Sequence, residues 1–154
     1  LILLICLLTI LSAKPGSISL GLNDNMGFFG GLSTSWITEK DYGETYTIVG
    51  TTLLLTGGVG YGHKYYISKG IFSPYASLTG FGYYLLAINA IGGLAVSANL
   101  GVDINIISWN KYTIMLQCGL FTAYDIFTGR SIIIPASDGP SFLMPSFNIK
   151  IRFD

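Results

Sequence analysis

Between Gly92 and Ile107 the chain reads GGLAVSANLGVDINII, and its side chains alternate without a break. Leu94, Val96, Ala98, Leu100, Val102, Ile104 and Ile106 fall on one parity; Ala95, Ser97, Asn99, Gly101, Asp103 and Asn105 fall on the other. Successive side chains of an extended strand point to opposite faces, whereas a helix repeats about every 3.6 residues. The stretch is therefore a strand with one branched aliphatic face and one small or polar face. The following KYTIMLQCGLFTAYDIF repeats the pattern, with Tyr112, Ile114, Leu116, Cys118, Leu120, Tyr124 and Ile126 opposite Thr113, Gln117, Gly119, Ala123 and Asp125. Met115 and Phe121 are exceptions on its polar side. Ser108-Trp109-Asn110 is a short hairpin connection between the two strands.

Weaker alternation marks strands over Ser17–Asn23, Gly27–Thr38, Thr45–Thr56, Val59–Ile67 and Ile71–Leu85. Asn23-Asp24-Asn25, the acidic run Glu39–Gly43, Ser68-Lys69-Gly70 and the long Thr128–Pro140 read as turns and loops. A break at Gly57-Gly58 gives about eight strands, and its absence about seven. No apolar run beyond Ala13 is long enough for a membrane-spanning helix.

Only 10% of the 154 residues are charged, against 51% hydrophobic, and the net charge is zero. A soluble domain carries about 25% charge. Zero net charge leaves no basic field for nucleic acid. Most charges, Glu39, Asp41 and Glu44 among them, fall in predicted turns or at strand ends. Lys64, Asp103, Asp125, Lys150 and Arg152 lie well inside strands, each on the small or polar face. A soluble ligand-carrying barrel has the reverse arrangement, with dense charge outside. An aliphatic face free of charge has the character of a lipid-facing wall, where Arg or Lys at mid-bilayer costs roughly 2–4 kcal/mol.

Strands in a bilayer must bond all their backbone groups, so the sheet must close. The expected fold is all-β, a closed antiparallel up-and-down transmembrane barrel of about eight strands, whose narrow interior is filled by side chains. Asp103, Asp125, Lys150 and Arg152, with Asn99 and Gln117, are expected to form an interior polar cluster; the alternative places the charges at hydrated rims. Tyr112 and Tyr124 lie twelve residues apart on one face, about 30 Å along the membrane normal, which suits the two aromatic girdles of such barrels.

With these features the chain resembles the small outer-membrane β-barrel proteins of Gram-negative bacteria, from about Ser17 to Phe153. The closing FNIKIRF is similar to the C-terminal assembly signal of that class, a terminal aromatic preceded by alternate apolar residues: Phe147, Ile149, Ile151 and Phe153. The chain departs from the pattern by adding Asp154. The resemblance implies location in the outer membrane, contact with its lipids, insertion by the barrel-assembly machinery and periplasmic termini. Thr128–Pro140 would then be extracellular. Ser108–Asn110 would be periplasmic, as would Glu39–Glu44, which is long for a turn on that side. A monomer is expected.

LILLICLLTILSA at the start resembles the apolar core and cleavage site of an export signal, without Met at position 1. Residues 1–13 are expected to be a truncated signal peptide and 14–154 the barrel domain; the alternative is the end of a membrane anchor. Cys6 would leave with the signal, so Cys118 would be the one thiol of the mature chain. His63 stands alone in GYGHKYY, with Ser68 and Ser73 the nearest serines downstream. Neither a catalytic constellation nor a metal or cofactor site is readable. The expected role is structural or loop-mediated. The alternatives are a lipid-modifying barrel enzyme using His63 and a soluble secreted ligand-binding barrel.

Overall fold

The computed structural model describes residues 16–22, 31–52, 56–85, 91–129 and 143–153. They form eight strands: β1 Ser17–Leu22, β2 Gly31–Lys40, β3 Gly43–Thr52, β4 Thr56–Tyr66, β5 Phe72–Leu85, β6 Ile91–Trp109, β7 Tyr112–Asp125 and β8 Met144–Phe153. The segment expected to be an export signal, Cys6, the expected turn Asn23–Asn25, nearly all of Thr128–Pro140 and Asp154 lie outside the described residues.

Each strand pairs antiparallel with its sequence neighbours, and β1 pairs with both β2 and β8, so the sheet closes into an up-and-down barrel. Closure removes the free sheet edges that would otherwise present unpaired N–H and C=O groups. The composition of the strands supports this: Val, Ile, Thr and Tyr fit a pleated, half-buried surface. β6 and β7 form the longest hairpin, with a register shift between Asn105 and Ile107.

The connections differ from the sequence reading in three places. The break expected at Gly57-Gly58 falls earlier, since Thr52 pairs with Thr56 and both glycines lie within β4. The β6–β7 turn is Asn110-Lys111, because Ser108 and Trp109 are still paired strand residues. The acidic run is no long turn: β2 and β3 continue through Glu39 and Glu44, leaving Asp41-Tyr42 as a two-residue connection.

One face of every strand lines the lumen. There is too little room for bulk at every position, so large side chains pack across glycines of the next strand. Tyr46 lies over Gly62, where an added Cβ would stand 2.7 Å from the tyrosine ring and 2.8 Å from the Leu78 carbonyl. On β1 and β2 the lumen is lined by serines instead, and the register pairs Ser17–Ser35 and Ser19–Ser33 join hydroxyl to hydroxyl at 2.6 and 2.5 Å. These short side chains leave space for long ones from β8 and β4.

Candidate functional site

The lumen holds layers of different chemistry from the end where β1 begins and β8 finishes to the other. At the first end, Glu39 and Glu44 face each other across the β2–β3 pair. Two like charges in that register repel. Arg152 of β8 reaches across the serine-lined β1 and β2 and bonds both, its Nη1 lying 2.6 Å from Glu44 Oε1. Glu44 is buried, and Glu39 is half exposed at the mouth. A polar cavity of about 210 Å³ opens here between Glu44, Arg152, Tyr66, Ser73 and Asn105.

The next layer is centred on Asp103, which is fully enclosed. Its Oδ2 accepts from Lys64 Nζ at 2.9 Å and from the Tyr66 hydroxyl at 2.9 Å; its Oδ1 accepts from Gln117 Nε2 at 3.0 Å. Lys64 is only 1% exposed and also sits 3.8 Å from the centre of the Tyr75 ring. Lys150 is buried and acts on both Lys64 and Asp103 through its charge. An ion taken out of water needs a counter-charge and hydrogen bonds to replace hydration. Asp103 receives both.

Beyond it, Asn99 Oδ1 accepts from the hydroxyls of Tyr75 at 3.3 Å and Ser146 at 3.5 Å. Asn148 is enclosed beside Gly21, with neither of its amide atoms bonded among the described residues. Then the chemistry changes. Phe121, Phe81, Tyr46, Ile48, Ala95 and Ala123 pack into an apolar plug. Thr79 bonds the Tyr46 hydroxyl at 2.6 Å, so even the tyrosine in this layer is satisfied. At the far end Asp125 Oδ2 accepts from Tyr83 at 2.6 Å, while its Oδ1 accepts from the backbone N–H groups of Phe127 and Thr128.

The expected cluster is therefore divided among layers. Asp103 and Gln117 are bonded to each other, with Lys150 beside them; Asn99 sits one layer on. Arg152 bonds the glutamates at the mouth. Asp125 is not part of the group, because it closes the opposite end of β7 and fixes the turn that follows. Lys64, Glu44, Tyr66 and Tyr75 were not expected as partners. The readable signal for Lys64 was its place on the polar parity of β4. Glu44 carried no such signal, since the acidic run around it reads as a turn.

The outward faces have the opposite character. Ile18, Leu20, Val59, Leu78, Leu94, Leu100, Leu120, Phe147, Ile149 and Ile151 all point away from the lumen and are exposed. Among the described side chains, no Asp, Glu, Lys or Arg stands on the outward face of a strand. Threonines are frequent outside β2 and β3, and Thr34 returns its hydroxyl to the Ser17 carbonyl at 3.2 Å. Tyr112 and Tyr124 lie near opposite ends of outward β7, and Trp109 packs against Tyr112 with ring centres 4.7 Å apart. Cys118 is outward and free.

His63 is also outward, 3.3 Å from the Thr45 hydroxyl. Ser73 turns into the lumen and bonds Gly70, on the other side of the wall. Among the described residues, no three His, Cys, Asp or Glu side chains are grouped to hold a metal ion. The chain matches no protein-family model, no curated protein and no solved structure.

Proposed function

We propose that this chain is an integral outer-membrane β-barrel that serves a structural role or binds partners through its loops. One observation carries the reading: the barrel is inside out relative to a soluble one. Charges lie in the lumen around Asp103 and Arg152, and Leu100, at 60% exposure, lies outside. In water, burying Asp103 and Lys64 while exposing a wall of Leu, Ile and Val would cost free energy on both counts. In a bilayer the same placement is favourable on the outside and necessary on the inside.

Strand length supports the same reading. About 9–11 tilted residues cross the hydrocarbon layer, and β2 to β8 have from 10 to 19. The start of β1, the end of β8 and the two-residue turns share one end, consistent with a periplasmic side. Among the described residues, paired charges and the apolar plug occupy successive levels of the lumen, which favours a structural role over a pore. The side chain that bonds His63 among the described residues is that of Thr45, and no catalytic role is assigned to it.

Cell-envelope fractionation tests the proposal. The chain should stay in the membrane pellet through urea and carbonate washes, and its folded form should migrate differently on gels until boiled. Extraction by urea, or solubility in buffer without detergent, would refute it.

A further inference from the structure

Between the charged layer and the apolar plug, the lumen holds polar groups that the chain itself does not satisfy. Lys150 is buried, yet among the described residues it makes no hydrogen bond and no ion pair. The carboxylate oxygens of Asp103 are taken by Lys64, Tyr66 and Gln117. Arg152 holds Glu44 and Glu39. Asn148, the next inward residue of β8, is wholly enclosed and bonds through neither Nδ2 nor Oδ1 among the described residues. Asn99 gives its Oδ1 to Tyr75 and Ser146 but leaves Nδ2 without a partner, and Ser77, opposite it in register, leaves Oγ so. These side chains share one region of the barrel. Lys150 and Asn148 are about 7 Å apart along β8, and Ser146, one inward step further, is bonded to Asn99.

We infer that this region binds one small inorganic anion of the halide class, held by the Lys150 ammonium and the amide N–H groups of Asn148 and Asn99. Charge selects that occupant over water. The layer contains the ammonium groups of Lys64 and Lys150 and the single carboxylate of Asp103, which Lys64 engages. The second ammonium is left in an enclosed space without a bonded counter-ion, an arrangement that is costly unless a charge is supplied. Hydrogen bonding selects the same occupant. An ammonium and an amide nitrogen carry only donors, whereas the unbonded acceptors are Asn148 Oδ1 and Ser77 Oγ. A water would bring further donors; an anion only accepts. Enclosure sets the size. Asn148 lies close against Gly21 and Asn99 against Gly119, where an added Cβ would stand 2.4 and 2.8 Å from the respective Oδ1 atoms. In a barrel filled by side chains this fits a monatomic ion better than an organic acid. Because the site is lumenal, it holds whatever surrounds the outer wall.

The test uses the full purified barrel, folded in sodium bromide or in sodium gluconate at equal ionic strength; gluconate is too large for the site. Crystals of the bromide form, measured at the bromine absorption edge, should show one interior anomalous peak in contact with Lys150 Nζ and Asn148 Nδ2. Interior density there without anomalous signal would overturn the inference, because the occupant would then be water. So would the absence of any density. Urea unfolding gives a second measurement. The midpoint in bromide relative to gluconate should be higher for wild type than for Lys150→Met, which keeps a long side chain without its charge. Lys111→Met, at the exposed β6–β7 turn, should behave as wild type, since general salt effects act alike on all three proteins. An equal bromide response in Lys150→Met and wild type would overturn the inference. If Lys150→Met does not fold, the bromide crystal of wild type still decides.

Discussion

Asp103 shows at a single residue what the lumen requires. Its carboxylate has three side-chain donors, from β4 and β7, and a second lysine nearby. Removing one partner leaves a charge buried without compensation, which costs about 3–5 kcal/mol in such pairs. Replacing both by apolar groups of similar size removes the desolvation penalty as well as the attraction. Asp103→Leu and Lys64→Met should therefore each lower the unfolding free energy by several kcal/mol, and the double variant by less than the sum. Urea unfolding in lipid vesicles, arranged as a double-mutant cycle, measures this; additive losses would mean that the pair is not coupled. Glycines give a second contrast. Gly62→Ala drives a methyl into Tyr46, an overpacking that typically costs about 1–3 kcal/mol. Gly80→Ala meets nothing and should be close to neutral in the same assay.

At the scale of the strand, closure depends on β8. It pairs with β1 through Ser17–Leu22 and with β7 from Tyr112 to Phe121. Phe153, opposite Tyr112, begins that second ladder. Phe153→Ala should reduce the folded fraction, read as less heat-modifiable protein in the membrane and more unfolded chain outside it. An unchanged folded yield would remove the assembly role from FNIKIRF. Ile149→Arg tests the outer wall on the same strand: it should cost roughly 2–4 kcal/mol if its depth is near mid-bilayer, and almost nothing if that face meets water. The pairing of β6 with β7 was legible because alternation is unbroken in β6 and fails at only two positions in β7, and the polar parity does face the lumen. Gly57-Gly58 misled because a glycine pair reads as a turn, whereas Gly57 is covered by the Tyr84 ring of the paired strand. Glu44 misled because local acidity hides an inward position. Met115 and Phe121 broke the pattern for a reason invisible along the chain: the lumen has an apolar layer as well as polar ones. Lys64 and Asp103 are 39 residues apart, and nothing in the spacing shows that a lysine of β4 reaches across β5. That contact follows from the curvature of the closed sheet.

For the whole molecule, the order of layers decides whether anything passes through. An ion entering from the terminal end meets Arg152 between two glutamates, then Asp103 with Lys64 and Gln117, then Phe121, Phe81 and Tyr46. Each barrier differs in kind. Opening the first two needs a new counter-charge for each ion left behind, and opening the third needs bulky side chains to leave a packed core. A single substitution removes one barrier and leaves the others. The barrel should therefore show no steady single-channel conductance in planar bilayers, and Phe121→Ala should still show none while losing about 3–5 kcal/mol of stability to the cavity it creates. Stepwise currents in wild type that change when Lys64 or Asp103 is replaced would mean that the charged layer moves as a gate. The lumen would then be a conduction path, and its paired charges would be there for selectivity rather than to close the barrel.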